Sequence, residues 1–593
     1  MQRHMNISIA QKWVFDQDLD AYIHLHTDPH QSEYLSDHWQ GMAWLSGFTG
    51  SAGAIVITKD DAALWADSRY HIQAEHQIEG RGVRLMKQGL PETPNMADWL
   101  EEQVGQDAVV GIDPRLITVK GYRERKNLLK KQGITLIPVL GLLEDCWRDR
   151  PVIRRKPVMI HAREYAGRSR EEKIVAIRAE MAEANAQYLL MPTLDDIAWT
   201  LNLRGSDIDC NPVFMSYLLI GRELGWLFID DQQISYSVAT ALEQAGIQIM
   251  PYDALELELN QLEEDDDIWI DPARNNYFLF SSVPEFVPKI EQQLPSILMK
   301  ACKNEVEQAH SRVSHQRDGL AMVRFLYWLE THVGSGSVTE RVAAERLEAF
   351  RAALPHYQGK SFVTIPGYAH HAALPHYSAT EDSDLVLLPT GMFLIDSGGQ
   401  FLDGTTDITR TVALGPVDAQ MKTDFTLVLK GHIALSTAIF PEGTQGVQLD
   451  ALARQYLWKE GLQFGHGTGH GVGFYLNVHE GPAGIGYRVR SQPALAEGML
   501  LSNEPGLYRA GKYGIRIENL MFVQPAFATE FGHFLKFEPI TLCPIDQNLI
   551  DVQMLSAFER DWLNQYHQEV YQKLAPDLEG EVLEWLKNAT RVL

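Results

Sequence analysis

The chain has 593 residues, of which 45% are hydrophobic and 22% charged, so it is long enough for several globular domains. Its 78 acidic and 52 basic residues give a formal charge of −26, which argues against a nucleic-acid-binding protein, since that function needs a basic face. No apolar run reaches the ~18 residues that a membrane span needs, and the N-terminus has no apolar signal core, so we expect a cytoplasmic protein without a membrane partner. The four cysteines form no CxxC pair and predict buried thiols.

Three stretches of different character predict three domains, which we place at 1–155, 156–302 and 303–593. The first has β-like apolar runs within 52–70, separated by a Lys-Asp-Asp turn, and an amphipathic helix over 121–133 that Gly133 ends. The second repeats this scheme, with a helix over 169–186 before a strand over 188–192. Both place an aromatic-rich segment that ends in glycine before short paired strands, which indicates a weak duplication of α/β domains.

The third stretch begins with two helices, predicted over 303–333 and 339–354, and Ser337 or Thr339 could cap the second of them. A further helix is predicted over 424–440. Strand-like apolar segments lie before and after it, at 392–397, 401–414, 499–508 and 514–523. Helices beside a mainly antiparallel sheet are typical of an α+β domain.

The sequence FGHGTGHGVGFYLNVHEGP, residues 464–482, alternates glycine with histidine. Because glycine is costly in a helix, we predict an extended chain here, in which His466, Thr468 and His470 share one face. The bare glycine face would let another backbone segment or a ligand approach closely. A phosphate-binding loop is an alternative, but the stretch lacks a Gly-Lys-Ser or Gly-Lys-Thr ending. Taken alone, His470 could also be a hydrogen-bonded structural histidine.

Four carboxylates interrupt apolar strand-like segments in the same stretch. Asp396 ends one segment and Asp407 follows a glycine-rich turn, while Glu504 and Glu518 interrupt two later segments. Any one of them could be a solvated strand cap. Gathered around His470, however, they would concentrate negative charge in a core cavity, which is prohibitive without cations. Oxygen ligands with one imidazole predict a site for two divalent ions. Mn²⁺ is the natural fit, with Co²⁺ and Zn²⁺ as alternatives. Such a pair can hold a water or hydroxide for attack on a carbonyl or phosphoryl centre.

The motifs LIDSGGQFLDGTTDITRTV, GHGTGHGVGFYLNVHEGP, LSNEPGLY and GIRIENL resemble those of the dinuclear metallopeptidases of the pita-bread fold. The similarity is greatest to the three-domain cytosolic Xaa-Pro aminopeptidases, or aminopeptidases P. WLSGFTGSAG and WADSRYHIQA in the first stretch, and LDDIAWTLNLRGSDIDCNPVFMSYLLI in the second, extend the resemblance over nearly the whole chain. The resemblance implies two creatinase-like α/β domains before a pita-bread catalytic domain, a homodimer, and removal of the first residue from peptides with proline in second position.

The resemblance also implies roles for individual residues. The metal ligands would be Asp396, Asp407, His470, Glu504 and Glu518, with Asp407 and one of the two glutamates shared between the ions. The substrate-side and scissile-bond residues would be His376, His466 and His479, with Glu504 as proton shuttle, Arg516 as anchor of the acids and Arg69 as a contact to the peptide. Ser68, where the family has glycine, and His370 and His371 depart from the family pattern; we expect the two histidines to line the pocket wall or the surface.

Three other functions are compatible with this scaffold. A creatinase-like amidinohydrolase would lack this set of acids, and a prolidase would cut only dipeptides. A binding module would lose ligands, whereas all five are present.

Overall fold

The structure is a computed structural model that describes residues 5–487 and 492–593. Internal contacts divide the chain into two compact units, one of Met1–Ala162 with Arg168–Ile297 and the other of Arg163–Gly167 with Leu298–Leu593. This division into two units does not test the three predicted domains, and the boundary at 302 stays a prediction. The boundary at 155 falls within the first unit and stays a prediction. Within the described ranges, no helix combines the length and apolar character needed to cross a membrane.

The first sheet of the first unit has six strands. They are β1 (Ala21–Leu25), β2 (Ala54–Thr58), β3 (Ala62–Ala66), β4 (Arg84–Lys87), β5 (Val109–Ile112) and β6 (Thr135–Pro138). The helices of this region are α1 (Met5–Asp16), α2 (Gly41–Ser46), α3 (His71–Ile78), α4 (Met96–Val104), α5 (Val119–Lys131) and α6 (Leu142–Cys146). The strand order is β4-β3-β2-β1-β5-β6, with antiparallel pairs in the middle and parallel pairs at both edges. Helix α5 matches the predicted surface helix, and Gly133 follows it with a φ of +75°.

The second region of this unit repeats that plan. Its strands are β7 (Met159–Ile160), β8 (Tyr188–Met191), β9 (Leu203–Arg204), β10 (Tyr217–Gly221), β11 (Gly225–Phe228), β12 (Ile247–Met250), β13 (Ile268–Ile270) and β14 (Lys289–Glu291). The helices in this part of the chain are α7 (Arg163–Ala166), α8 (Arg170–Glu183), α9 (Leu194–Leu201), α10 (Tyr236–Gln244), α11 (Leu255–Asn260), α12 (Tyr277–Ser282) and α13 (Pro295–Ala301). The order β12-β11-β10-β8-β13-β14 has the same antiparallel centre and parallel edges as the first sheet, so the duplication is present in the topology.

The second unit combines helices with short antiparallel strands. The strands are β15 (Tyr357–Lys360), β16 (Ile365–Tyr368), β17 (Met392–Ser397), β18 (Gly399–Phe401), β19 (Gly404–Thr405), β20 (Ile408–Ala413), β21 (Ile439–Pro441), β22 (Gly469–Gly471), β23 (Glu480–Ile485), β24 (Leu500–Asn503), β25 (Gly506–Arg509), β26 (Tyr513–Arg516), β27 (Asn519–Thr529) and β28 (Gly532–Pro539). The helices are α14 (Glu305–His332), α15 (Glu340–Ala352), α16 (Ala419–Ser436), α17 (Gly446–Lys459), α18 (Ala557–Leu574) and α19 (Gly580–Ala589). The largest sheet has the order β21-β28-β27-β24-β22-β23. Three smaller sheets have the orders β16-β17-β20, β15-β18-β19 and β25-β26.

The helices predicted over 303–333 and 339–354 begin close to their predicted starts, whereas the helix predicted over 424–440 already begins at Ala419. Asn304 caps α14, and the side chain of Thr339 caps α15 by accepting a hydrogen bond from the Val342 amide. The helix predicted over 424–440 ends earlier, at Ser436, because Ile439 begins a strand that pairs with β28. Three predicted strands are each broken into shorter pieces, and Asp407, Glu504 and Glu518 stand at those breaks.

Candidate active site and metal centre

The four acids lie where strands of the second unit meet. Asp396 lies within β17, which pairs with β20, and Asp407 directly precedes β20. Glu504 separates β24 from β25, and its amide donates to the Thr468 carbonyl at 2.8 Å. Glu518 separates β26 from β27 in the same way. The broken strands thus bring acids from distant parts of the sequence to one place.

The glycines of residues 464–482 let neighbouring backbone approach closely. The sequence predicts either a backbone segment or a ligand at this face. A Cβ atom on Gly469 would lie 2.0 Å from the Ser502 carbonyl oxygen, and one on Gly471 would lie 2.1 Å from that of Glu480. Strand β22 can therefore fit between β23 and β24 only with glycine at these positions. Between the two glycines lies His470, which is held in a fixed orientation by this packing.

His470 presents one ring nitrogen to the acids. Its Nδ1 donates to the Gly471 carbonyl at 2.9 Å, so Nε2 is the ring nitrogen that would bind a metal after losing its proton. Nε2 lies 3.5 Å from Asp407 Oδ2 and 3.7 Å from Glu504 Oε1. Ligand atoms of Asp407, His470 and Glu518 all lie within 4.8 Å of one another. Four of the five predicted ligands are therefore adjacent.

Asp396, the fifth predicted ligand, is buried and joins the group through Arg516. Its Oδ2 accepts from Arg516 Nη2 at 2.6 Å, while its Oδ1 is buried without a hydrogen-bond partner among the described residues. A buried carboxylate oxygen left without a donor costs free energy unless something else binds it. This oxygen, the Nε2 of His470 that faces the acids and the oxygen-rich donor set all fit a site for hard or borderline divalent ions.

The pKa values of the clustered side chains also indicate a cation site. Burial raises the pKa values of Asp396, Glu504 and Glu518, with that of Glu504 at about 7, and the charge of Asp407 raises all three further. Burial lowers the pKa of His470, but its hydrogen bond to Asp407 and the charges of Glu504 and Asp407 outweigh burial and raise it to about 9. Arg516 lowers these pKa values but does not cancel the effect of burial, and divalent ions would supply the further positive charge that keeps the acids ionised.

Arg516 contacts Asp396 directly and reaches Glu518 through Thr409. Besides Asp396, its Nε donates to Thr409 Oγ1 at 3.1 Å, and the Thr409 hydroxyl in turn donates to Glu518 Oε2 at 2.8 Å. Thr409 was not singled out in the sequence. Its position two residues after Asp407, on the same face of an extended chain, is the signal that could have indicated it.

Tyr508 is a second residue of the candidate site that the sequence analysis did not single out. Its hydroxyl accepts from Arg516 Nη1 at 2.6 Å and lies 2.7 Å from His466 Nε2. Since His466 Nδ1 donates to the Gly467 carbonyl, Nε2 accepts the tyrosine proton. His466 Nδ1 also lies 3.9 Å from Glu504 Oε2, which places this histidine beside the predicted ligands. Tyr508 stands four residues after Glu504, which is the same-face spacing of a strand.

The remaining predicted residues have different surroundings. The ring of His479 packs edge-on against that of His470, with centroids 4.3 Å apart. His376 follows Pro375, whose carbonyl accepts from Arg516 Nη2 at 3.2 Å. Arg69 lies in the first unit after β3, where its Nε and Nη2 bind Asp67 at 3.0 and 2.7 Å. The contact of Arg69 with peptide stays a prediction.

The two histidines that depart from the family pattern differ from each other. His370 is exposed, as expected, whereas His371 turns inward and binds the buried carboxylate of Glu340 at 3.0 Å. The expectation of a wall or surface position for His371 did not anticipate this contact, because Glu340 is distant in sequence.

Comparison with known proteins supplies independent information. Models of the Creatinase/Prolidase N-terminal domain match residues 7–146 and 149–307, that of Metallopeptidase family M24 matches 309–525, and that of the C-terminal region of peptidase M24 matches 533–593. Aminopeptidase P2 of Arabidopsis thaliana is 39% identical over 97% of this chain and 86% of its own length. A probable Xaa-Pro aminopeptidase P of Laccaria bicolor is 40% identical over 96% of this chain and 90% of its own.

Solved structures agree with these relatives. The X-prolyl aminopeptidase of Caenorhabditis elegans, described as a cytosolic enzyme with a di-nuclear active site, matches with a TM-score of 0.93 and 36% identity, over 97% of this chain and 95% of that one. An Xaa-Pro dipeptidase of Bacillus anthracis matches with a TM-score of 0.51 and 25% identity, and it covers only 64% of this chain. The likeness to the dipeptidase therefore leaves about a third of the chain unmatched.

Fold and site together define a metallopeptidase of the M24 class, with two creatinase-type α/β regions before a pita-bread catalytic region. Within that class the chain belongs to the aminopeptidase P family. The predictions of fold class, family and enzyme class are confirmed. The predicted pair of divalent ions agrees with a metallopeptidase family and with the di-nuclear site of the C. elegans enzyme.

Proposed function

We propose that this chain is an Xaa-Pro aminopeptidase, which hydrolyses the bond between the first residue of a peptide and a proline in second position. The observation that carries the proposal is the convergence of Asp407, His470 and Glu518 within 4.8 Å, in a chain of the aminopeptidase P family. Asp396 and Glu504 complete the proposed ligand set. Four carboxylates with one imidazole favour Mn²⁺, with Co²⁺ and Zn²⁺ as alternatives.

When bound, two such ions would activate water for attack on the carbonyl carbon of the first residue and polarise that carbonyl. Negative charge then grows on the carbonyl oxygen. We assign the stabilisation of this oxygen to His479 and His376. His479 packs against His470, and His376 directly follows Pro375, whose carbonyl accepts a hydrogen bond from Arg516. A well-placed donor of this kind contributes about 3 kcal/mol to transition-state stabilisation.

We assign the proton transfer to Glu504. Its carboxylate accepts a proton from the attacking water and returns it to the prolyl nitrogen. That nitrogen is tertiary in the peptide, so it must be protonated as the bond breaks. His466 lies beside Glu504 with its tautomer fixed by Gly467 and Tyr508, and we place it next to the scissile bond.

Selection for proline follows from the chemistry of that residue. Proline has no amide hydrogen and a fixed φ, so a site shaped for its ring would leave an ordinary peptide with an unpaired donor or a steric clash. We further propose that Arg69 contacts the peptide. A cytoplasmic location, supported by the cytosolic C. elegans enzyme, and a homodimer complete the proposal. Light scattering on the purified protein tests the dimer.

The metal ligands are tested with Asp407→Asn and His470→Ala. Both variants should lose bound metal, and their rate of cleavage of an Arg-Pro-Pro peptide should fall at least about 100-fold, because the chemistry that the metal supplies is lost with the ligand. His466→Ala is the matched control within the same glycine-rich stretch, and it should retain metal while turnover falls. Unchanged activity in both ligand variants would overturn the metal assignment. Cleavage of an Arg-Pro dipeptide but not of the tripeptide would assign the chain to prolidases.

A further inference from the structure

The carboxylate of Glu340 is fully buried at the first turn of α15, where its exposed fraction is 0%. It accepts hydrogen bonds from two side chains and two backbone amides: His371 Nδ1 at 3.0 Å, Tyr377 Oη at 2.9 Å, Tyr368 N at 2.8 Å and Leu385 N at 3.1 Å. A buried carboxylate is tolerated only with such compensation. The helix N-terminus and the imidazole of His371 both favour the negative charge.

These donors lie on both sides of His376 in the sequence. His371 and Tyr377 are also stacked on each other, with ring centroids 4.3 Å apart and planes at 26°. Glu340 therefore holds the chain before His376 and the chain directly after it. We call Glu340, His371 and Tyr377 the Glu340 clasp.

The same segment is fixed to the active site from the other side. The Pro375 carbonyl accepts from Arg516, which also binds the predicted ligand Asp396. A Cβ atom on Gly514 of β26 would lie 1.7 Å from the Ala372 carbonyl oxygen, so the two backbones are in direct contact. His376 is therefore placed between an anchor at Arg516 and the Glu340 clasp.

We infer that the Glu340 clasp positions His376 for the peptide substrate, and that it thereby affects kcat/KM without affecting metal binding. The inference rests on the substrate-side role proposed above for His376. Glu340, His371 and Tyr377 are positioning residues, because they act through His376. A small displacement of a group that stabilises the transition state costs rate even when the fold is intact.

The neighbouring His370 provides a matched control. His370 is exposed, and its ring centroid lies 4.4 Å from that of His371. We therefore compare His371→Phe and His370→Phe in metal content, melting temperature, and kcat and KM for Arg-Pro-Pro. His371→Phe should lower kcat/KM about tenfold with unchanged metal content, while His370→Phe should stay within about twofold of the wild type.

Two further variants separate positioning from a general loss of structure. His371→Asn keeps an N–H near the position of Nδ1 and should restore most of the activity lost in His371→Phe. Tyr377→Phe removes one donor with little change in volume, and it should lower kcat/KM in the same direction by a smaller factor. Equal impairment of the Asn and Phe variants of His371 would overturn the inference.

A double-mutant cycle decides whether the clasp acts through His376. In a His376→Ala background, His371→Phe should change kcat/KM by less than about twofold, because the group it positions is gone. A full effect of His371→Phe in that background would overturn the inference alone. Should His376→Ala itself leave activity unchanged, the proposed role of His376 fails, and the clasp inference fails with it.

Discussion

At the scale of single residues, the proposed metal site depends on the side chains that orient its proposed ligands. Thr409 donates to Glu518 and accepts from Arg516, and Tyr508 links Arg516 to His466. The proposed ligands could be singled out in the sequence, because each acid lies in or beside an otherwise apolar strand-like segment. The hydrogen bonds around them could not, because they join segments that are distant along the chain.

Replacing Thr409 by valine keeps the shape of the side chain but removes its hydroxyl. We expect Thr409→Val to weaken metal binding about tenfold, since partners that orient a ligand typically contribute a factor of this size. Thr409→Ser keeps the hydroxyl and should bind metal like the wild type. Titration of the metal-stripped protein with Mn²⁺ checks both variants. Equal weakening in the two would mean that side-chain packing, not the hydroxyl, supports the site.

Removing the hydroxyl of Tyr508 should affect turnover more than metal binding. Tyr508→Phe takes from His466 the donor that fixes its tautomer, and we expect kcat to fall about tenfold at full metal occupancy. Steady-state kinetics on Arg-Pro-Pro with parallel metal analysis provides the measurement. Loss of metal at unchanged kcat per bound metal would contradict this role.

At the scale of elements, sequence-local signals predicted the helices best. Ser169, Asn304 and Thr339 each cap a helix through their own side chains, so the starts of α8, α14 and α15 follow from nearby residues. Strand β21 was mistaken for the end of a helix, because its partner β28 comes much later in the chain. Propensity alone cannot anticipate pairing between distant segments.

Helix α18 is connected to the metal site through Arg410. This side chain is 1% exposed, and it donates to the Glu518 carbonyl at 2.6 Å and to the Tyr566 hydroxyl of α18 at 2.9 Å. Tyr566→Phe should lower the free energy of unfolding by about 1–2 kcal/mol, because a buried charged donor loses an acceptor. Tyr571→Phe on the same helix is the control and should stay within about 0.5 kcal/mol. Urea denaturation compares the two, and equal losses would contradict this connection.

At the scale of the whole molecule, both units have buried apolar cores, and the second unit also carries a cluster of buried acids. The central strands of the two six-stranded sheets of the first unit are buried and apolar, whereas the second unit gathers buried acids that bound cations would compensate. The duplication of the first unit could be read from the sequence because its pattern recurs locally. The convergence of the acids depends on topology, and the resemblance to a known family indicated it more directly than periodicity did.

Removal of metal by a chelator should therefore loosen the second unit selectively. Binding at 100-fold excess over Kd adds about 2.7 kcal/mol to stability, and chelation takes this away. Hydrogen exchange followed by mass spectrometry should show faster exchange in β20, β22 and β24 after chelation, with β1–β6 unchanged. Uniform acceleration in both units, or none in either, would contradict this expectation.

The most direct test is an anomalous-scattering map of crystals grown with Mn²⁺. We predict two peaks, about 3.5–4 Å apart, enclosed by Asp396, Asp407, His470, Glu504 and Glu518. An active enzyme whose crystals showed no peak among these five side chains would contradict the account.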